Sequence, residues 1–288
     1  MDKILDFELY SRLLALPYVQ TALLAAGILG LVAGVLGPLI VSRNMAFAVH
    51  GTSELSFTGG AAALLLGINV GHGALAGAVV AALVLGLLSR RSSEHDSVIG
   101  AVLAFGLGIG VLLLWLYPGR ASNKFSLLVG QVVGIDAASI ALLSVCAVVV
   151  LVTLLVIYRP LLFASVDPEV ARARGVPTTQ LSIVFAVLVG VATALGVQTV
   201  GALLVLALMI TPAAAAARIS ASPLRATVLA VVFAETSAVG GFILSLPVGA
   251  PVSAFVVGIS FVIYVVCWVM SLLRGRVSAG AAEPAVRR

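Results

Sequence analysis

His50 and Glu54 stand four residues apart in the segment HGTSELSFT, with Thr52, Ser53, Ser56 and Thr58 around them. In an α-helix that spacing puts an imidazole and a carboxylate on one face, one turn apart, where a ring nitrogen and a carboxylate oxygen can share one cation. The segment lies inside an apolar run of spanning length. A carboxylate deep in a bilayer costs about 2.5–3.5 kcal/mol on insertion scales, so Glu54 must face a cavity or a partner. With the hydroxyls beside it, the pair reads as a wet path that accommodates an ion, and Ser53 is a further candidate ligand. The plainer alternative is a helix-stabilising hydrogen bond between the two, or a pair facing another helix with no ligand. Two donors do not complete a site of about four to six ligands, so the others must come from other helices, a symmetry mate or water.

Glu235, in VVFAETSAVGG, is the other carboxylate inside an apolar run. It is a further candidate for the same path, or a neutral acid bonded to a neighbouring helix. The remaining nine of the 11 acidic residues lie at the termini or in connections. His72 and His95 stand at the ends of apolar runs, where a solvated histidine is the default. Cys146 and Cys267 each sit inside such a run and read as small core hydrophobes, with no disulfide or metal motif.

The elements that must position these groups follow from composition. The 288 residues are 62% hydrophobic and 9% charged, whereas soluble domains run about 45–50% apolar and about 25% charged. An ordinary soluble enzyme is excluded. Apolar blocks fall at roughly 19–42, 45–68, 70–88, 98–117, 137–158, 181–198, 200–218, 224–246 and 252–273, each near the spanning length. Alternating apolar and polar segments of a membrane barrel are lacking, so the expected fold is an all-α polytopic membrane protein of nine spans. A helix continuous or re-entrant through Gln198 to Val200 would reduce the count to eight. Glycines at small-xxx-small spacing, Gly27, Gly30 and Gly34 or Gly106 and Gly110, let helices approach closely. Residues 1–18 read as an amphipathic interfacial segment, retained rather than cleaved because its acidic residues come first, 19–273 as one transmembrane domain, and 274–288 as a flexible cytoplasmic tail.

The net charge of +5 is distributed between the blocks. Arg43, Arg90, Arg91, Arg159, Arg172, Arg174, Arg218, Arg225, Arg274, Arg276, Arg287 and Arg288 follow alternate spans and share one side; Arg120 and Lys124 lie opposite. The basic side is the cytoplasm by the positive-inside rule, which puts the N-terminus outside and the C-terminus inside. No dense basic stripe tracks a phosphate backbone, so nucleic acid is not an expected partner. Between Tyr158 and Leu181 the chain reads RPLLFASVDPEVARARGVPTTQ, with Asp167 as N-cap, Pro168 at the first helical position and Gly175 then Pro177 as a stop. This is a short cytoplasmic helix, either a shielding surface turn or a docking element for a partner. No P-loop, H-E-x-x-H or G-x-S-x-G motif occurs, so the chain binds no ATP through a P-loop of its own and enzyme is the weakest class.

Four separated stretches, LIVSRNMAFAVHGTSELSFTGGAAALLLG, HDSVIGAVLAFGLGIGVLLL, YRPLLFASVDPEVARARGVP and GVQTVGALLVLALMITPAAAAARI, occur in the order found in the membrane permease subunits of bacterial zinc/manganese-type ABC metal importers. The chain resembles that family over most of 19–273. The resemblance implies a homodimeric pore in the bacterial cytoplasmic membrane, a separate cytoplasmic ABC ATPase that binds the ATP, and an extracytoplasmic binding protein that delivers the metal. It implies no cofactor on this chain, the divalent metal being cargo. It also implies a coupling segment at about 159–180, in which Asp167, Glu169, Arg172 and Gly175 dock the ATPase.

Many members of that family carry Asp where this chain has His50 and His where it has Glu54, so the ligand types are exchanged at constant spacing. Imidazole with carboxylate and no thiolate suits zinc, manganese and iron, with zinc placed first. The alternative class is a proton-coupled secondary cation transporter relaying through Glu54 and Glu235; such folds show inverted repeats, and nothing in the second half copies HGTSE. A non-transporting membrane scaffold is the third.

Overall fold

Hydrocarbon offers no partner to a backbone N–H or C=O, and the chain meets that constraint with helices. The computed structural model describes residues 7–88, 95–119, 137–200, 202–248 and 251–281, and no strand occurs among them. The helices are α1 (Phe7–Leu14), α2 (Pro17–Ser42), α3 (Ala46–Leu66), α4 (Val70–Leu88), α5 (His95–Leu116), α6 (Ala137–Val166), α7 (Pro168–Ala173), α8 (Thr178–Val200), α9 (Ala202–Ile219), α10 (Pro223–Ser245) and α11 (Val252–Ala281). Arg90, Arg91, Arg120, Lys124, Arg287 and Arg288, which bear on the expected orientation, lie outside the described residues.

Each expected apolar block coincides with a helix. Among the described residues six helices are long and apolar enough to cross a membrane: α2, α5, α6, α8, α10 and α11. The described apolar stretches of α4 and α9 are shorter, Val70–Leu85 and Val205–Ile219, and α3 has 21 residues but carries the polar segment. At the boundary near Gln198 the structure separates two of the expected alternatives. Thr193 Oγ1 lies 3.8 Å from Met209 Sδ, sixteen residues away; in one continuous helix they would stand about 24 Å apart at a rise of about 1.5 Å per residue. α8 and α9 therefore fold back on each other.

Two helices overrun their expected ends. α6 continues through Pro160 to Val166, because Leu161 and Ala164 remain buried against the bundle after the apolar block ends. At 30 residues it is about 45 Å long, against about 30 Å of hydrocarbon, so one end projects from the membrane. α11 likewise runs on to Ala281, past the expected start of the tail at 274.

Leu29, Val32, Leu36 and Ile40 of α2 form the main core with Phe185, Leu188 and Leu195 of α8 and Leu143, Val150 and Leu161 of α6. Outward faces of α5, α6 and α11 show Trp115, Leu155 and Val262, as a lipid-facing surface requires. α2 packs on α9 and α10, while α3 is held between α4 and α5 and also touches α8.

Glycine makes these approaches close. A Cβ at Gly30 would lie 3.1 Å from Glu235 Cδ, one at Gly34 would enter the Val231 backbone, and one at Gly110 would lie 2.6 Å from the Phe57 ring. Both small-xxx-small groups of the sequence thus mark real helix contacts. α3 and α4 meet backbone to backbone, with Gly77 against the Leu55 carbonyl and Gly59. Gly77→Val is expected to force these helices apart and cost about 1–3 kcal/mol, read as a lowered thermal midpoint of the purified protein in detergent. Gly100, where a Cβ would meet nothing within 4 Å, is the control: Gly100→Ala leaves the midpoint unchanged or raises it.

Candidate functional site

α2 ends and α3 begins across an elbow of Arg43, Asn44 and Met45. Asn44 sits at φ 54, in the left-handed region that Asn tolerates better than most side chains. Backbone bonds from Arg43, Asn44 and Met45 back to Leu39, Val41 and Ile40 close the end of α2. The elbow sets the start of α3, and α3 sets the depth of His50 and Glu54.

Glu54 is 5% exposed, and Ser53 and Ser56 are fully buried; His50 is half-buried. His50 Nδ1 is buried with no hydrogen-bond partner, and among the described residues it is the one buried side-chain nitrogen or oxygen in that state. Leaving a buried polar atom unpaired costs about 1–3 kcal/mol, which sets this nitrogen apart from the satisfied hydroxyls around it.

The hydroxyls differ from the sequence reading. Thr52 donates to Ala48 O at 2.7 Å, Ser53 to His50 O at 3.0 Å and Ser56 across to Ala74 O on α4 at 3.0 Å. Thr58 bonds Glu54 O at 2.8 Å and Gly106 O on α5 at 2.5 Å. A hydroxyl inside a bilayer finds a carbonyl before it finds water, so these groups fasten α3 to itself and its neighbours, and only their oxygen lone pairs remain free. Among the described residues no three His, Cys, Asp or Glu side chains gather into a metal-holding group. Within one copy the candidate pair is His50 and Glu54. Glu235 packs against Gly27 and Gly30 of α2, in a different helix pair from the contact of α3 with α5. His72 is exposed, and the two cysteines are free thiols.

The short helix α7 is built as its residues dictate. Asp167 Oδ1 accepts from the amides of Glu169 at 3.1 Å and Val170 at 2.9 Å. At the other end Gly175 takes φ +80, its N–H bonds Arg172 O, and the Val176 N–H bonds Ala171 O, the paired pattern of a Schellman cap. Ala171 is buried, whereas Glu169, Arg172 and Arg174 face outward.

Arg43 is the residue whose part the sequence understated. Its Nη1 donates to Ser165 Oγ on α6 at 3.0 Å and its Nη2 to Ser182 Oγ on α8 at 2.6 Å. Its guanidinium lies over the Phe185 ring at 5.6 Å. Burial pulls its pKa below the ordinary arginine value, but a guanidinium keeps its proton in proteins. The readable signal was the connection itself: three residues between two long helices give an arginine little room to reach water. A cavity of about 380 Å³ opens here, lined by Arg43, Ala48, Thr52, Arg172, Thr178 and Ser182 among others.

The model of the ABC 3 transport family matches residues 15–271. This chain belongs to that family. It is a multi-pass protein of the bacterial cytoplasmic membrane. Among its relatives it is 28% identical over 267 residues to the manganese transport system membrane protein MntC of Halalkalibacterium halodurans, covering 92% of this chain and 91% of that one. It is 27% identical over 225 residues to the high-affinity zinc uptake system membrane protein ZnuB of Haemophilus influenzae, covering 78% and 86%. A chain in the solved structure of PsaBC from Streptococcus pneumoniae in complex with Fab superimposes with a TM-score of 0.82 at 23% identity, covering 91% of this chain and 94% of that one. That likeness establishes a shared fold. The ABC 3 transport family pattern therefore extends over the elbow, the polar segment of α3 and the short helix α7.

Replacing Asp167 by Ala removes the acceptor for two amides at the start of α7. Amide hydrogen exchange at Glu169 and Val170 is expected to rise about fivefold, for a cap worth ~1 kcal/mol. Asp167→Asn, which keeps an acceptor oxygen, leaves exchange near the parent rate.

Proposed function

We propose that this chain is the permease subunit of an ABC importer and that it carries a divalent transition metal, manganese or zinc, into the cytoplasm. The observation that carries the reading is His50 Nδ1, buried without a protein partner one turn from the buried carboxylate of Glu54. Membership of the ABC 3 transport family supports import driven by a separate ATPase. The relatives named for manganese and for zinc support the cargo. One borderline imidazole and one hard carboxylate, without thiolate, suit both ions.

On this reading the metal passes from an extracytoplasmic binding protein into a pore formed by two copies of the chain. His50 and Glu54 of each copy hold it in transit, with water completing the shell. Glu169 and Arg172 of α7 meet the ATPase, and the caps at Asp167 and Gly175 keep that helix folded when it is pushed. The chain performs no chemistry on the metal; it supplies a ligand pair at a depth where the bare ion would be unstable.

Uptake of radiolabelled manganese and zinc in vesicles, with and without the co-expressed ATPase, tests the reading. His50→Ala and Glu54→Gln are each expected to lower uptake roughly tenfold or more, the scale on which losing support for a bound metal weakens it, while the ATPase still co-purifies. Normal uptake by both variants removes the site assignment. Uptake that does not need the ATPase points instead to a proton-coupled carrier. Glu169→Arg acts elsewhere: the amount of ATPase that co-purifies falls, while metal binding at α3 persists.

A further inference from the structure

We infer that Arg43 is the positioning residue through which movement of the ATPase-docking helix α7 reaches the metal-binding helix α3. The inference rests on the proposed function for the meaning of those two helices, and on geometry for the link between them. Ser165 stands at the end of α6 just before the Asp167 cap, and Ser182 stands in the first turns of α8 just after the Gly175 cap. One guanidinium therefore clasps the chain on both sides of α7, at 3.0 Å and 2.6 Å. The two serine hydroxyls donate to Leu161 O at 2.7 Å and Thr178 O at 2.9 Å, which leaves their oxygens turned to accept from Arg43. The Phe185 ring covers one face of the plane.

The other end of Arg43 is the elbow itself. α3 begins at Ala46, so a shift of the elbow is a shift of the helix that holds His50 and Glu54. The cavity of about 380 Å³ lies between this elbow, α7 and the start of α8, with Ala48 and Thr52 of α3 on its wall. Here the first turns of α3 border open space. Among the described residues no carboxylate pairs with Arg43; the one ion pair present joins Arg12 to Glu8. Neutral hydroxyls hold the guanidinium in place with directed bonds, yet they are weaker partners than a carboxylate and exchange more readily. A link that must transmit a displacement through each transport cycle is served by such partners. Among the described residues the other cation set over an aromatic ring is Arg218 of α9, which bonds Tyr264 Oη of α11 in an exposed position.

The test uses the full chain co-purified with its ATPase and reconstituted, carrying Cys146→Ala and Cys267→Ala so that Phe47→Cys, on the exposed first turn of α3, supplies the single thiol. Two quantities are read: the rate of maleimide labelling at position 47 with and without a non-hydrolysable ATP analogue, and the metal moved per ATP hydrolysed. With Arg43 intact the analogue is expected to change the labelling rate about threefold, and Arg43→Gln to abolish that dependence and lower metal per ATP about tenfold, within the usual range of coupling between sites. ATPase association and ATP hydrolysis stay at the parent level. Ser165→Ala with Ser182→Ala reproduces the loss while Arg43 is intact, and adding Arg43→Gln to the pair deepens it no further.

Nucleotide-dependent labelling that survives Arg43→Gln overturns the inference, as does a parent whose labelling ignores nucleotide. Loss of the ATPase from both the Arg43→Gln and the paired serine variants also overturns it, since that marks general instability. Should only Arg43→Gln fail to assemble, the serine pair decides: uncoupling supports the link and parent-like coupling removes it. A parent that moves neither manganese nor zinc refutes the proposed function, whereas the labelling arms still decide the link.

Discussion

The close backbone contact of α3 with α4 and α5 is the constraint on which the rest of the structure depends. α3 carries an imidazole, a carboxylate and four hydroxyls into the helix bundle, and such a helix is stable in a membrane only when other helices enclose it. Enclosure at this range needs surfaces without side chains. Gly59, Gly73 and Gly77 provide one on the α4 side, and Gly106 and Gly110 provide one on the α5 side. The cross-helix bonds of Ser56 and Thr58 depend on that proximity, because a hydroxyl reaches a neighbouring carbonyl only where backbones nearly touch. Packing and polarity therefore enforce each other.

The same logic explains why the end of the bundle around Arg43 differs from its interior. Arg43 is a charge held mostly out of water with hydroxyl partners and an aromatic face in place of a counter-ion. Removing a cation from water is costly unless its donors are satisfied, and here two of them are directed at side chains from different helices. The left-handed Asn44 and the caps around α7 lie within a few residues of these contacts in the chain. Conformational definition is thus concentrated around the elbow and the short helix α7.

Much of this was legible in the residues, and for identifiable reasons. Apolar length and the lack of alternation forced a helical membrane fold, because a bilayer leaves few solutions. Asp167, Pro168 and Gly175 marked the short helix because capping is local: an acceptor, a missing N–H and a left-handed φ are properties of single residues. Four-residue spacing placed His50 and Glu54 one turn apart, and α3 is helical across both. What escaped depends on distance across the fold. The hydroxyls of α3 read as solvated until the structure showed carbonyls within reach, and Arg43 read as an orientation signal until Ser165 and Ser182, more than a hundred residues away, were brought beside it. The end of α6 was missed because a helix outlasts its apolar block when tertiary contacts continue, as at Leu161 and Ala164.

A site made for passage has different requirements from one made for retention. A complete cage of four or more protein ligands holds a metal as part of the structure, and conduction instead needs binding strong enough to admit the ion and loose enough to release it. Along α3 the donors run from half-buried His50 to Glu54 one turn deeper, while Phe47, before them, is exposed. The hydroxyl protons nearby are already committed to carbonyls, so they lend the ion little. A single copy thus offers two strong donors and no more among its described residues. On the proposed function, a pair this sparse lets a hydrated ion exchange part of its shell, pause and move on.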